Sequence, residues 1–207
     1  MFIVFEGIDN SGKTTVLDYI ASILRSSGYS VYRISFPIRT SLTGQLIDRY
    51  LKGEIDIRPS VITNLFYYNR IEHQDKLAEL IDTYDFVLCD RYIYSGICYT
   101  KLSYVNTLES LIKRESNLII PDIVFHLDVD PYTARNRKYN TSDVTERLDK
   151  QIEVYNAYNK LYRSDLFKLI KPRLLLSRID SYNTHMTIDS VMDVINLILR
   201  STMSPNH

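Results

Sequence analysis

Cysteine is scarce in this chain, with two residues in 207, Cys89 and Cys98. Both fall inside apolar stretches, so they are expected as free core thiols ahead of a disulfide or a metal site. An excess of charge is missing too, because 25 Lys and Arg balance 25 Asp and Glu. Zero net charge gives no global field to gather nucleic acid or an anionic membrane, and neither is expected as a partner. No apolar run approaches the roughly 20 residues of a membrane-spanning helix. The N-terminus enters an apolar segment of strand length at once, leaving no room for a signal peptide, so an intracellular, cytoplasmic protein is expected. Repeats, low-complexity tracts and Pro/Gly-rich linkers are absent, and the reading is one domain over residues 1–207 with a sizeable core.

What is present starts at residue 1. "MFIVF" is an uninterrupted apolar run, which suits a central strand covered on both faces. "GIDNSGKT" follows, Gly7 to Thr14, with the spacing G-x-x-x-x-G-K-T of a phosphate-binding loop. Beyond it, Val16, Leu17, Ile20, Ile23 and Leu24 form the stripe of an amphipathic helix that ends at Gly28. The glycines let successive N–H groups turn toward phosphate oxygens, and the helix N-terminus adds partial positive charge. Lys13 is placed to reach the terminal phosphates, and the Thr14 hydroxyl is a natural Mg²⁺ ligand.

Four more short apolar runs, "SVYRISF" (30–36), "DFVLCD" (85–90), "DIVFHLDVD" (122–130) and "RLLLSRID" (173–180), alternate with helical patterns. The alternation predicts an α/β fold of the P-loop NTPase type: a three-layer sandwich in which a five-stranded parallel sheet carries helices on both faces. Ligands in such sheets bind at the carboxyl ends of the strands. At those ends stand Asp90, a candidate Mg²⁺ carboxylate with Thr14, and Arg91, a candidate phosphate ligand, with a local salt bridge as the plainer reading. Arg39 follows the second strand. "PSVITNLFYYNRIEHQDKLAELI" reads as one long helix opened by Pro59. On it, Phe66 and Arg70 are four residues apart and share a face, where they could read a planar base or simply form a core Phe under a solvated Arg.

Over nearly its whole length the chain resembles the thymidylate kinases, the nucleoside monophosphate kinases acting on dTMP. The segments that carry the resemblance are "FEGIDNSGKTT", "FPIRTSLTGQLIDRYL", "LFYYNRIE", "DRYIYSGICYT", "PDIVFHLDVDP" and "ERLD", in order. The resemblance implies phosphorylation of dTMP to dTDP with Mg-ATP, and a homodimer. Asn10, Ser11, Gly12, Lys13, Thr14 and Thr15 would hold the ATP phosphates, with Asp180, Ser181 and Tyr182 near adenine. Asp9 would lie near the 3′-hydroxyl of dTMP, while Arg39 and Arg91 grip its phosphate. Phe66 would stack on thymine, Arg70 donate to its O4 edge, Thr100 approach N3, and Tyr99 lie under the sugar and disfavour a 2′-hydroxyl. Phe36, Ser95 and Gly96 belong to the same segments and the same substrate.

Kinases of this family place a transition-state cation either in the loop, as an arginine where this chain has Asn10, or in a lid over ATP. The lid segment here is about 131–149, and Arg137 and Arg147 match family arginines, so the lid is expected to supply the charge. Arg135 is an extra, read as a solvated helix face. The tyrosine after the lid arginine is Leu148, and its usual glutamate is Asp149. Arg114 and Asn117 stand near places that commonly hold Pro and Gly. Two other readings stay open: a broader pyrimidine nucleotide kinase, acting for example on dUMP, and a weakly catalytic ATP-binding P-loop protein.

Overall fold

The computed structural model describes residues 1–100, 107–137 and 147–203. Five strands, β1 (Phe2–Glu6), β2 (Val31–Ser35), β3 (Phe86–Asp90), β4 (Ile123–Asp128) and β5 (Leu175–Asp180), form a parallel sheet in the order β2-β3-β1-β4-β5. Each expected apolar run supplies one strand. The first run is uninterrupted because β1 is central: Phe2 and Val4 enter the core on one face, Ile3 and Phe5 the core on the other.

Two helices, α1 (Lys13–Ser26) and α9 (Thr184–Met203), cover one face through Val16, Leu17, Ile20 and Leu24 and through Ile188, Val191 and Ile195. The opposite face is covered by α4 (Gln74–Thr83), α5 (Ile93–Cys98), α6 (Leu108–Glu115) and α8 (Leu148–Tyr162). Full burial of an aliphatic or aromatic side chain of this kind contributes about 1.5–3 kcal/mol, so both layers are needed to hold the sheet. The layers differ in kind. Tyr92, Tyr94 and Tyr158, the fully buried tyrosines among the described residues, all lie in the second. Cys89 and Cys98 are buried free thiols in that layer too.

A smaller cluster of Ile47, Leu51 and Ile62 joins α2 (Leu42–Leu51) to α3 (Pro59–Ile71), and Phe66 packs against it. Pro59 opens α3 as expected, but the helix does not run on: it stops at Ile71 and α4 starts at Gln74. The reason is local. His73 Nδ1 contacts the Asn69 carbonyl at 2.8 Å and Gln74 Nε2 donates to the Arg70 carbonyl at 2.8 Å. Those are the acceptors that the backbone N–H groups of a continuing helix would use. A short helix, α7 (Pro131–Asn136), follows β4, and Asp130 caps it by accepting from the Tyr132 and Thr133 N–H groups.

Candidate active site

The loop after β1 turns through residues with positive φ: Gly7 at 138°, Asn10 at 60° and Gly12 at 91°. A Cβ on Gly7 would stand 2.6 Å from the Leu127 carbonyl oxygen, so the glycine is required by the approach of β4 as well as by its φ. Gly12 caps α1, so the loop ends at the helix N-terminus, where the first-turn N–H groups carry partial positive charge. Lys13 is buried and donates to the Ile8 carbonyl at 2.6 Å and to Ser11 Oγ at 3.2 Å. Burial, with Arg91 nearby, pushes its ammonium down to about 8. Thr15 is exposed in the first turn of α1.

The register pairs Phe5 of β1 with Asp90 of β3, which sets Asp90 beside the loop. Thr14 Oγ1 donates to Asp90 Oδ2 at 2.8 Å, and Asp90 Oδ1 is buried without a hydrogen-bond partner among the described residues. Arg91 turns back with φ 64°. Its guanidinium donates to the Gly7 carbonyl at 2.9 Å and to Ser95 Oγ at 3.2 Å, pairs with Asp9, and lies 5.0 Å over the Tyr99 ring. Burial raises the Tyr99 phenol well above the ordinary tyrosine range, so it stays neutral.

Ten residues expected around the monophosphate line one cavity of about 440 Å³: Asp9, Phe36, Arg39, Phe66, Arg70, Arg91, Ser95, Gly96, Tyr99 and Thr100. Pro37, Tyr50, Ile62, Asp90 and Lys150 are among the other residues of its wall. Arg39 is half exposed and pairs with Asp48 of α2. Phe66 is partly buried on α3, one turn before Arg70, as the spacing predicts. Arg70 is not solvated, contrary to the plainer expectation: it is 3% exposed and ion-paired to Glu115 of α6 at 2.6 Å. A shallower hollow of about 550 Å³ over Leu108, Asn156 and Arg163 shares no residue with this cavity.

On the other side of the loop, Arg137 stands just past α7. Its Nη1 donates to the Asn10 carbonyl at 3.3 Å, and Nη2 pairs with the Ser181 carbonyl. Ser181 is buried, with its N–H on the Asp128 carbonyl at 3.0 Å. Tyr182 donates from its hydroxyl to Asp130 Oδ2 at 2.8 Å and from its N–H to Asp180 Oδ1 at 2.9 Å. The Thr133 and Tyr182 hydrogen bonds hold the Asp130 carboxyl down at about 2. Arg147 is not brought to this group. It is 75% exposed and pairs with Asp149 at 3.2 Å. Arg135 is exposed, as expected of a solvated face. The expected lid, 131–149, lies partly outside the described residues, at 138–146.

Four residues of the site were missed in the sequence. Glu6 is fully buried and accepts from the N–H groups of Tyr92 and Ser95 and from the Tyr158 hydroxyl, fixing the start of α5 behind Arg91. Asn69 accepts from the Ile38 N–H at 2.8 Å and donates to its carbonyl at 3.1 Å, which holds the loop carrying Arg39. Gln151 donates to Asp9 Oδ2 at 2.7 Å and accepts from the Asp9 N–H at 2.8 Å. Glu115 holds Arg70. Two of them had a readable signal: Gln151 falls on the buried stripe of α8 with Val154, Tyr158 and Leu161, and Glu115 on that of α6 with Leu111 and Ile112. A polar side chain on an inward stripe requires a partner there.

Comparison with known proteins reaches the same place from outside. A family model described as thymidylate kinase matches residues 5–174. The chain is similar to the thymidylate kinase of Plasmodium falciparum, 35% identical over 164 residues that cover 79% of this chain and 78% of that protein. It is 38% identical over 162 residues to a probable thymidylate kinase of Methanocaldococcus jannaschii, covering 78% and 81%. A solved thymidylate kinase structure from Candida albicans matches with a TM-score of 0.78 at 26% identity, over 95% of this chain and 91% of that one. With the family model over most of its length, these relatives and the same fold, the chain belongs to the thymidylate kinase family.

Proposed function

We propose that the protein transfers the terminal phosphoryl group of ATP to dTMP, giving dTDP and ADP in the supply of dTTP for DNA synthesis. One observation carries the reading: the phosphate loop and the cavity meet at the Asp90–Arg91 step. Asp90 bonds Thr14 of the loop, while Arg91 bonds the loop carboxylate Asp9 and lines the cavity. Two nucleotides held this way face each other with their phosphates.

In this reading the N–H groups from Ser11 to Thr15 cradle the ATP phosphates, and Lys13 exchanges the Ile8 carbonyl for a phosphate oxygen. Asp180, Ser181 and Tyr182 border the adenine. Arg39 and Arg91 hold the dTMP phosphate, Phe66 stacks on thymine, Arg70 donates to its O4 edge, and Thr100 approaches N3. Asp9 lies at the 3′-hydroxyl, and Tyr99 underlies the sugar, where its bulk opposes a 2′-hydroxyl. Arg137 supplies positive charge beside Asn10, at the loop position that lacks a cation of its own. That placement argues against the reading as a weakly catalytic ATP-binding protein.

Magnesium fits the donor set. Asp90 Oδ1 is a buried oxygen with no hydrogen-bond partner among the described residues, next to the Thr14 hydroxyl on Oδ2. Such hard oxygens, with substrate phosphates, are what this ion binds. When bound it neutralises phosphate charge; Thr14 and Asp90 would hold it. The family reading also includes a homodimer, supported by the exposed apolar Leu42, Leu46, Val61 and Tyr68 on α2 and α3 and measurable by sedimentation velocity.

The test is a coupled ADP-release assay with dTMP and Mg-ATP. Turnover is expected only with dTMP present, and is expected to stop when the metal is chelated. A folded protein that binds ATP without dTMP-dependent turnover overturns the proposal. A parallel panel with dUMP separates it from a broader pyrimidine kinase.

A further inference from the structure

The base end of the cavity contains a carboxylate that phosphoryl transfer does not call for. Glu115 ends α6, has no solvent exposure, and sits 45 residues along the chain from the arginine it holds. Its oxygens receive Arg70 Nε at 3.1 Å and Nη2 at 2.6 Å, a two-point fork that fixes the plane of the guanidinium as well as its place. From the other side, a Cβ on Gly96 would stand 2.3 Å from Nη2 and 2.7 Å from Cζ of Arg70. The guanidinium is therefore a plate slotted between the end of α6 and the bare Cα of a glycine in α5. Arg114 adds a second cation to the same carboxylate, with Nη2 at 3.3 Å from Oε1 and its guanidinium 4.5 Å over the Tyr67 ring.

Neither bond of the fork uses Nη1. An arginine that lines a cavity, with its plane fixed and one nitrogen outside the fork, is a directional donor for an acceptor in that plane. A pyrimidine base is neutral, so what it needs from the wall is a donor at a carbonyl edge; an unbalanced cation there would be costly to bury and would not select for a neutral ring. Glu115 meets both requirements for Arg70, since its two-point fork orients the donor and offsets its charge, while Arg114, the second cation on that carboxylate, is partly exposed and lies over Tyr67. We infer that Glu115 is a positioning residue for base recognition, holding Arg70 so that Nη1 serves a ring carbonyl in preference to an amino group. The inference rests on the cavity being the dTMP site.

The experiment is steady-state kinetics of the full chain and of Glu115→Gln, Glu115→Asp and Gly96→Ala, with dTMP and with dCMP. Glu115→Gln is expected to raise the KM for dTMP roughly tenfold or more, the scale of a lost charge-assisted hydrogen bond, with the KM for ATP and kcat at saturation within about twofold. The preference for dTMP over dCMP should fall with it. Glu115→Asp, which keeps the charge and shifts the fork, should recover part of the loss. Gly96→Ala, which presses on the guanidinium from the opposite side, should raise the same KM. Should Glu115→Gln fail to fold, the other two variants decide by dTMP binding. The inference is overturned if the folded variants bind dTMP as the parent does, or lose dTMP and ATP in parallel, the mark of a purely structural role. The parent's own dTMP turnover keeps the two ideas apart. Without it the reading of the cavity fails; with it, an unmoved KM removes only the role given to Glu115.

Discussion

Asn10 has a backbone φ of 60°, a left-handed conformation that asparagine tolerates better than most side chains. Its carbonyl, in that conformation, receives Nη1 of Arg137 at 3.3 Å. The charge absent from the side chain at position 10 thus arrives through its main chain, from a residue 127 positions away. Arg147 makes no such approach among the described residues. Arg137→Ala is therefore expected to lower kcat on the order of 10³, the effect of a cation acting on the transferring phosphoryl, with a smaller change in the KM for ATP. Arg147→Ala should stay within a few-fold of the parent, roughly the scale of losing an exposed ion pair. Asn10→Arg on the Arg137→Ala background should restore part of kcat, less the strain of placing arginine at that φ. Rate measurements on the three variants check this, and an Arg137→Ala enzyme at parental kcat would remove the arginine from the reaction.

At the scale of elements, what could be read depended on how far apart the interacting residues lie in the chain. The loop and helix from Gly7 to Gly28 were legible because spacing, glycine and an apolar stripe all act within a few turns. The five strands were legible because a sheet covered on both faces demands unbroken apolar runs. The split of α3 from α4 was not, because it turns on the His73 and Gln74 side chains reaching back to two carbonyls, which apolar periodicity does not record. Glu115, the partner of Arg70, and Gln151, a partner of Asp9, were hidden for a related reason: each lies on a helix distant in the chain, brought near only by packing on the sheet. Gln151 shows what such a partner does. It ties α8, the helix after the lid segment, to both the main chain and the side chain of Asp9, which in turn pairs with Arg91. Gln151→Leu keeps the volume and deletes both bonds, a loss of about 1–3 kcal/mol in the local order of the loop. The expected result is a several-fold rise in the KM for dTMP with a drop in kcat, while helix content by circular dichroism is unchanged. Parental kinetics in that variant would mean that Asp9 is held well enough by Arg91 alone.

The molecule as a whole is held by two layers that respond differently to solution conditions. His126 on β4 belongs to the tyrosine-bearing layer, with Tyr158 at 4.6 Å and the Tyr162 hydroxyl at 3.1 Å from Nδ1. Burial, with Arg178 on the neighbouring strand, pushes its imidazole from 6.5 down to about 3. The folded chain therefore keeps His126 neutral while the unfolded chain takes up a proton below about 6.5, so the stability present at neutral pH is lost as pH falls toward 3. Between pH 7 and pH 5 this one group should remove roughly 2 kcal/mol of unfolding free energy. Denaturant titrations at those two values, on the parent and on His126→Gln, check it; an equal loss in both would place the acid sensitivity elsewhere.

The unequal sharing of tyrosine between the layers also decides what light can report. With no tryptophan in the chain, intrinsic absorbance and emission come from 17 tyrosines, and those fully buried among the described residues all lie on the face that bears the cavity. The α1/α9 layer is largely aliphatic, with Tyr29 packed against its core and Tyr19 exposed on α1, and contributes little to that signal. A melting curve followed at the tyrosine band mainly watches the cavity-bearing face of the sheet come apart. Loosening that begins in the α1/α9 layer would register in that band only weakly, through Tyr19 and Tyr29, and surface chiefly in the amide signal, so the two traces coincide only if the layers unfold together.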